Sequence, residues 1–207
     1  GAIAAQFGTA VGPGARANEQ FGAAIGSDAT ANGDSAFAAG RQSVASGTNA
    51  AAIGRGATAA GSESLAMGYI ADANGENSTA IGVQANAYGN QATALGSHAR
   101  ANGNFAVAIG LEANASGQYS QASGFQSNAA GSYSQAMGYQ ANAQGTRSLA
   151  VGMMAKTNSD YSVAIGDGAV TQEDHSLAAG YQANASGSAA IAVGYGAKAS
   201  KISSLAV

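Results

Sequence analysis

Asp174, His175 and Ser176 stand side by side and are the three residue types of an acid–base–nucleophile relay. Such a relay needs side chains converging from separate segments, so that the base reaches the hydroxyl while the carboxylate holds its far nitrogen. Three consecutive residues do not converge in that way, and the triplet reads as a solvated turn. The other histidine, His98, is remote in sequence and makes no metal-ligand pair with His175. Asp160, Asp167, Glu173 and Asp174 are oxygen donors of the kind hard cations take, but they lack the recurring offsets of a calcium loop and read as charged turns. The Gly-x-Gly pairs beginning at Gly12, Gly54, Gly166 and Gly194 have no following helix whose N-terminus would receive a phosphate. The expectation is a chain with no catalytic, cofactor-binding or metal-binding residues, and not an enzyme.

The residues that remain are aromatic. Phe105, Tyr119, Tyr133 and Tyr161 share one phase of the sequence, and Tyr69, Phe125, Tyr139, Tyr181 and Tyr195 share another. If each phase is a column in the fold, neighbouring rings lie ~4.8 Å apart, close enough to stack. The bland reading is that they cover corners of the fold or pack between chains. The functional reading is that Tyr119, Tyr133, Tyr139, Tyr161, Tyr181 and Tyr195, with Asn86, Asn114, Asn128 and Asn142 nearby, offer a shallow repetitive surface to an extended ligand. Asparagine columns also form ladders that support only themselves.

The elements behind these columns follow from a repeat. Glycine recurs every 14 residues from Gly12 to Gly194 without a miss, and alanine stands two residues before each. A second glycine row, offset by seven, is unbroken from Gly33 to Gly145 and returns at Gly187, lapsing at Glu19, Ser159, Glu173 and Lys201. Each half of the unit alternates small and larger residues over about five positions, the strand period, and a three-residue step breaks the phase as a tight turn does. Two short strands in 14 residues leave no room for a helix. Identical strands repeated at fixed spacing predict an all-β parallel solenoid, each coil pairing with the coils before and after it. The alanine and glycine rows then face each other across an interior much thinner than the roughly 10 Å of an ordinary sheet sandwich.

Composition agrees. Hydrophobic residues make up 46% of the chain, but most are alanine, and only 13 Phe and Tyr with no Trp are present to fill a three-dimensional core. A net charge of −3 with 9% charged residues gives no basic footprint for nucleic acid and no polybasic membrane patch. Cysteine is absent, and no apolar run approaches the roughly 20 residues of a membrane-spanning helix.

The outward positions of the two strands differ. Beside the second they are polar, as in Arg16/Asn18, Arg100/Asn102 and Lys198/Ser200. Beside the first they are mostly apolar: Ile25, Phe37, Ile53, Leu65, Met67, Ile81, Leu95, Val107, Ile109, Met137, Leu149, Val151, Val163, Ile165, Leu177, Ile191 and Val193. A continuous apolar strip of that length is an aggregation hazard on a lone chain, so these residues are expected to be buried against further copies of the chain. Closed cyclic symmetry is the expected arrangement, and spacing alone leaves two or three copies open.

The units Ser162-Val163-Ala164-Ile165-Gly166, Phe105-Ala106-Val107-Ala108-Ile109-Gly110 and Ser148-Leu149-Ala150-Val151-Gly152 share one phase of the repeat, and the chain from residue 6 to 207 resembles the head repeats of trimeric autotransporter adhesins of the YadA-like type. The resemblance implies a left-handed parallel β-roll, a homotrimer, and a head carried on a coiled-coil stalk outside the outer membrane of a Gram-negative bacterium. It implies attachment to host matrix proteins, host cell-surface receptors or other bacteria, with no nucleic acid partner and no membrane contact by this part. On that reading residues 1–207 are one head domain of about fourteen repeats without stalk or anchor. The chain departs from the pattern at Gln121, Ser123 and Gln135, polar residues in the apolar strip, and at Ser159, Glu173, Thr157 and Thr171, where a wider or looped turn is expected.

Three other readings compete. An ice-binding solenoid requires a flat array of threonine pairs, whereas Thr30 and Thr58 are scattered among Asn, Arg and Lys. A hexapeptide-repeat acyltransferase requires a six-residue period and a catalytic histidine on an inserted loop. A rigid spacer presenting another binding domain requires only the solenoid.

Overall fold

The computed structural model describes residues 1–207, which contain thirty β-strands and no helix, so no helix is long and apolar enough to cross a membrane. The chain divides into two compact units, Gly1–Phe105 and Ala106–Val207. Each is a parallel solenoid of 14-residue coils with two strands per coil. In the first unit three-residue strands such as Leu65–Met67 pair in register with Ala51–Ile53 and Thr79–Ile81. Two-residue strands such as Asp72–Ala73 pair with Thr58–Ala59 and Asn86–Ala87. The second unit repeats the scheme, with Gln135–Met137 between Gln121–Ser123 and Leu149–Val151, and Asn142–Ala143 between Asn128–Ala129 and Lys156–Thr157. The alternation in sequence covers about five positions, but the ladders cover only three and two, because the flanking residues already bend into the corners.

The core is almost entirely alanine. Ala66, Ala73, Ala136 and Ala143, at strand positions repeated in their neighbours, have no exposed surface. No large aliphatic side chain is among the fully buried residues, the bulkiest being Thr157 and Thr171. The thin interior read from the sequence is therefore present, and the aliphatic side chains point outward.

Each coil closes through two four-residue turns. At one, the Ser134 amide donates to Gly131 O at 3.2 Å with Tyr133 at φ 59°, and at the other, the Ala141 amide donates to Gly138 O at 3.3 Å with Gln140 at φ 53°. A left-handed third residue is the conformation such turns favour with Gly or Asn. Here Gln, Tyr, Phe and Glu adopt it, a local cost that persists only where the surroundings dictate it. The dictating contact is the next ladder bond: the Tyr133 amide donates to Gln118 O and the Gln140 amide to Phe125 O, both at 2.8 Å. The corners are thus paired coil to coil like the strands. The Gly-x-Gly pairs fit this scheme, since Gly54 (φ 129°) opens the turn and Gly56 (φ 66°) takes the left-handed position.

The looped turn expected near Ser159 and Glu173 does not occur: both coils keep the common turn, with Tyr161 at φ 55° and His175 at φ 60°. The accommodation is subtler. Along the second glycine row an additional amide bond recurs, as from Gly131 to Ala143 O at 3.4 Å, and Gly145, Ser159 and Glu173 make none. Thr157 and Thr171 occupy alanine sites in register with one another, fully buried, with hydroxyls that find no partner. Ser162 and Ser176 donate to Ser159 O and Glu173 O at 2.6 Å, the bond that Ser120 and Ser148 make to Gly117 O and Gly145 O in regular coils.

Candidate functional site

In each unit the apolar residues lie on the outer face of the sheet built from three-residue strands. Phe37, Ile53, Leu65, Ile81, Leu95, Val107, Leu149, Val151, Val163 and Leu177 are half-buried, and Ile25, Met67, Ile109, Met137, Ile165, Ile191 and Val193 are exposed. Parallel register stacks them in two columns, Met137 beside Val151 beside Ile165 in one and Leu149 beside Val163 beside Leu177 in the other. Size is complementary along a column as well as across it: Phe37 stands between Ala23 and Ala51, and Ala39 between Ile25 and Ile53. Ile109 and Ile165, at 40% and 44% of full exposure, are too open to belong to this chain's own core.

The second feature is a corner. In the second unit five successive coils place a flat side chain at the left-handed turn position: Tyr119, Tyr133, Arg147, Tyr161 and His175, with φ between 54° and 60°. Equal backbone angles and parallel register launch the side chains in one direction, and they stack. Tyr119 and Tyr133 lie 4.9 Å apart at 12°, and Tyr161 and His175 5.1 Å apart at 6°. The Arg147 guanidinium fills the gap, 5.6 Å from the Tyr133 ring and 5.7 Å from the Tyr161 ring. Aromatic pairs contribute about 0.5–1.5 kcal/mol and exposed cation–π pairs about 0.5–1 kcal/mol, so the ladder is held in place while its outer edge meets water. Reading for tyrosines alone misses Arg147 and His175, although each follows a stacked tyrosine by one repeat, the signal that finds them.

Tyr139, Tyr181 and Tyr195 belong to the opposite corner, where Phe125 stacks on Tyr139 and Tyr181 on Tyr195, both at 5.1 Å. The six tyrosines therefore form two surfaces rather than one. In the first unit the corresponding stacks are shorter, Phe7 on Phe21 at 5.4 Å and Arg55 over Tyr69 at 5.6 Å.

The polar residues weighed as chemistry serve as braces. Asp160 accepts the Thr146 amide at 2.7 Å, Asp174 the Asp160 amide at 3.0 Å and Asp167 the Met153 amide at 3.1 Å, so each carboxylate ties its coil to the one before. Ser176 is buried against Glu173 O and His175 is stacked on Tyr161, which separates the triplet into three unrelated roles. No three His, Cys, Asp or Glu side chains converge. Asn114, Asn128 and Asn142 form an amide ladder at 2.8 and 3.2 Å on the outer face of the two-residue-strand sheet.

Asp72 interrupts the same face in the first unit. Burial raises its carboxyl above the ordinary 3.8, and the nearby Tyr88 hydroxyl and Asn74 amide, the latter at 3.2 Å, only partly offset this. Burial and then the Asp72 charge raise Tyr88 in turn. A carboxyl raised on folding binds its proton more tightly in the folded state, so the ionised form destabilises the fold above the raised value and the penalty vanishes below 3.8. Asp72→Asn should therefore raise the melting temperature at pH 7, and the gain should disappear near pH 3; thermal melts at the two pH values check it.

No curated protein matches the chain. Among five matching chains of solved structures is the crystal structure of the collagen-binding domain of the Yersinia adhesin YadA, 24% identical over 84% of this chain and 80% of that one, with a TM-score of 0.34. The model of the YadA head domain repeat, which spans two copies of the repeat, matches residues 5–29, 20–43, 45–69, 73–99, 89–113, 101–127, 115–141, 136–153, 143–169, 172–197 and 185–207. With matches along nearly its whole length, the chain belongs to the YadA head-repeat family.

Proposed function

We propose that residues 1–207 act as one head domain of a homotrimeric adhesin on the bacterial surface, outside the outer membrane, attaching the cell to matrix proteins, host cell-surface receptors or other bacteria. The observation that carries the reading is the division of labour between faces. The aliphatic strip, uncovered by its own chain, is where three copies meet, and the Tyr–Arg–His corner remains outside for contact. Tyrosine and arginine held in fixed positions bind proteins with little ordering cost, since they bring contact area and donors without freezing free rotors. Three identical repetitive surfaces add avidity to contacts that are individually weak.

Deleting the head while keeping what carries it should abolish attachment of cells to matrix-coated surfaces. Unchanged attachment would leave a rigid spacer as the reading. Within the head, Tyr133→Ala with Tyr161→Ala breaks the stack on both sides of Arg147. The pair should weaken binding to immobilised matrix proteins by about thirtyfold, the cost of losing one hot spot, with the circular dichroism spectrum unchanged. The same pair at the other corner, Tyr139→Ala with Tyr181→Ala, reports whether both corners take part.

A further inference from the structure

We infer that Gln121 and Gln135 form a hydrogen-bonded layer between copies of this chain that fixes their axial register; the inference rests on the proposed meeting of copies along the strip.

A solenoid of equal coils has a register problem. Sliding one copy past another by a whole coil sets aliphatic columns against near-identical partners, so the apolar contacts discriminate poorly between alignments. Something in the strip must break the repeat. The polar residues of its two columns in the second unit are Gln121, Ser123 and Gln135, on adjacent strands in direct register, Gln121 beside Gln135 and Ser123 beside Met137. In the first unit the polar residues are threonines, Thr9, Thr79 and Thr93, each of which carries a methyl group beside its hydroxyl.

The glutamines are also unpaired. Gln121 is half-buried and Gln135 exposed, and neither side-chain amide makes a hydrogen bond within the chain. Spacing is not the reason. At the corner of the same coils, Gln140 donates to Gln126 at 2.8 Å and Gln126 to Glu112 at 2.8 Å across the same coil-to-coil step. The strip glutamines keep both donor and acceptor for a partner outside the chain. A primary amide is self-complementary, so around a symmetry axis running along the strip each glutamine meets its own counterpart and a ring of donors and acceptors closes. A slip of one coil still sets one Gln121 against a Gln135, but it leaves the other two amides buried against Val107 and Leu149 without partners. A single polar layer in an apolar seam fixes register by the same penalty in coiled coils.

The chain has no cysteine, so introduced thiols are unique. Full-length chains carrying Met137→Cys and, on a second tagged population, Val151→Cys are refolded together and treated with a short thiol cross-linker, with light scattering run alongside. With Gln121 and Gln135 present, the expected products join 137 to 137 and 151 to 151. With Gln121→Leu/Gln135→Leu the assembly is retained, and 137-to-151 products rise from background to a level comparable with the in-register ones. Gln121→Met/Gln135→Met, close to glutamine in volume, gives the same readout should the leucine pair fail to fold. Off-register products with the glutamines present, or a single register without them, overturn the inference and leave the strip as the interface. A monomeric parent chain overturns the strip reading itself.

Discussion

Gly131→Ala should loosen the second unit locally and lower the melting temperature of the 207-residue chain by roughly 6–12 °C, a destabilisation of about 3 kcal/mol. The residue sits at the corner where coils approach most closely, and an added Cβ would run into the carbonyl group of Gly145 and the amide nitrogen of Thr146. These are backbone atoms of a paired coil, so no rotamer change relieves the clash, and moving them strains the next coil. Calorimetry of the full chain checks the size of the effect. Ala130→Gly, at an exposed position one residue away, serves as control and should cost no more than about 1 kcal/mol. An unchanged melting temperature for Gly131→Ala would mean that the coils are farther apart than described.

On the proposed trimer, Ile109→Asp combined with Ile165→Asp should give monomer without changing the β-structure. Both positions are open to solvent on the single chain, so the carboxylates cost the coil little. Between copies they would be buried without partners, at a cost of several kcal/mol per charge. Three such kcal/mol already weaken association by about a hundredfold. Asn142→Asp, on the opposite face, adds one carboxylate of the same sign and should leave assembly intact. Light scattering with circular dichroism separates the outcomes, and an assembled Ile109→Asp/Ile165→Asp protein would exclude the strip as the interface.

The repeat made the architecture legible because its spacing and its residue sizes agree. Gly138 at φ 133° and Ala136 with no exposed surface are consequences of one 14-residue pattern, and any coil predicts the others. The site was less legible. Tyr119, Tyr133 and Tyr161 could be grouped by phase, but the inclusion of Arg147 and His175 depends on ring planes lying parallel, a property of side-chain direction rather than residue type. Expecting a wider or looped turn at Ser159 and Glu173 takes two missing glycines for missing freedom of the chain. That row's glycines are needed for close approach, as Gly145 against Ser159 and Asp160 demonstrates, and the turn's left-handed residue lies two positions on, where Tyr161 and His175 adopt it unaided.

The sequence by itself determined the parallel coil, its alanine interior and the contrast between its two outer faces, because strand period and side-chain volume are local properties repeated in every unit. Only the tertiary structure decided which side chains touch. Whether an aspartate braces an amide, an arginine slips between two tyrosines or a glutamine is left without a partner depends on the coil above and the coil below. Those neighbours lie fourteen residues away in the chain and one ladder spacing away in space, where contact distance and orientation set the energy.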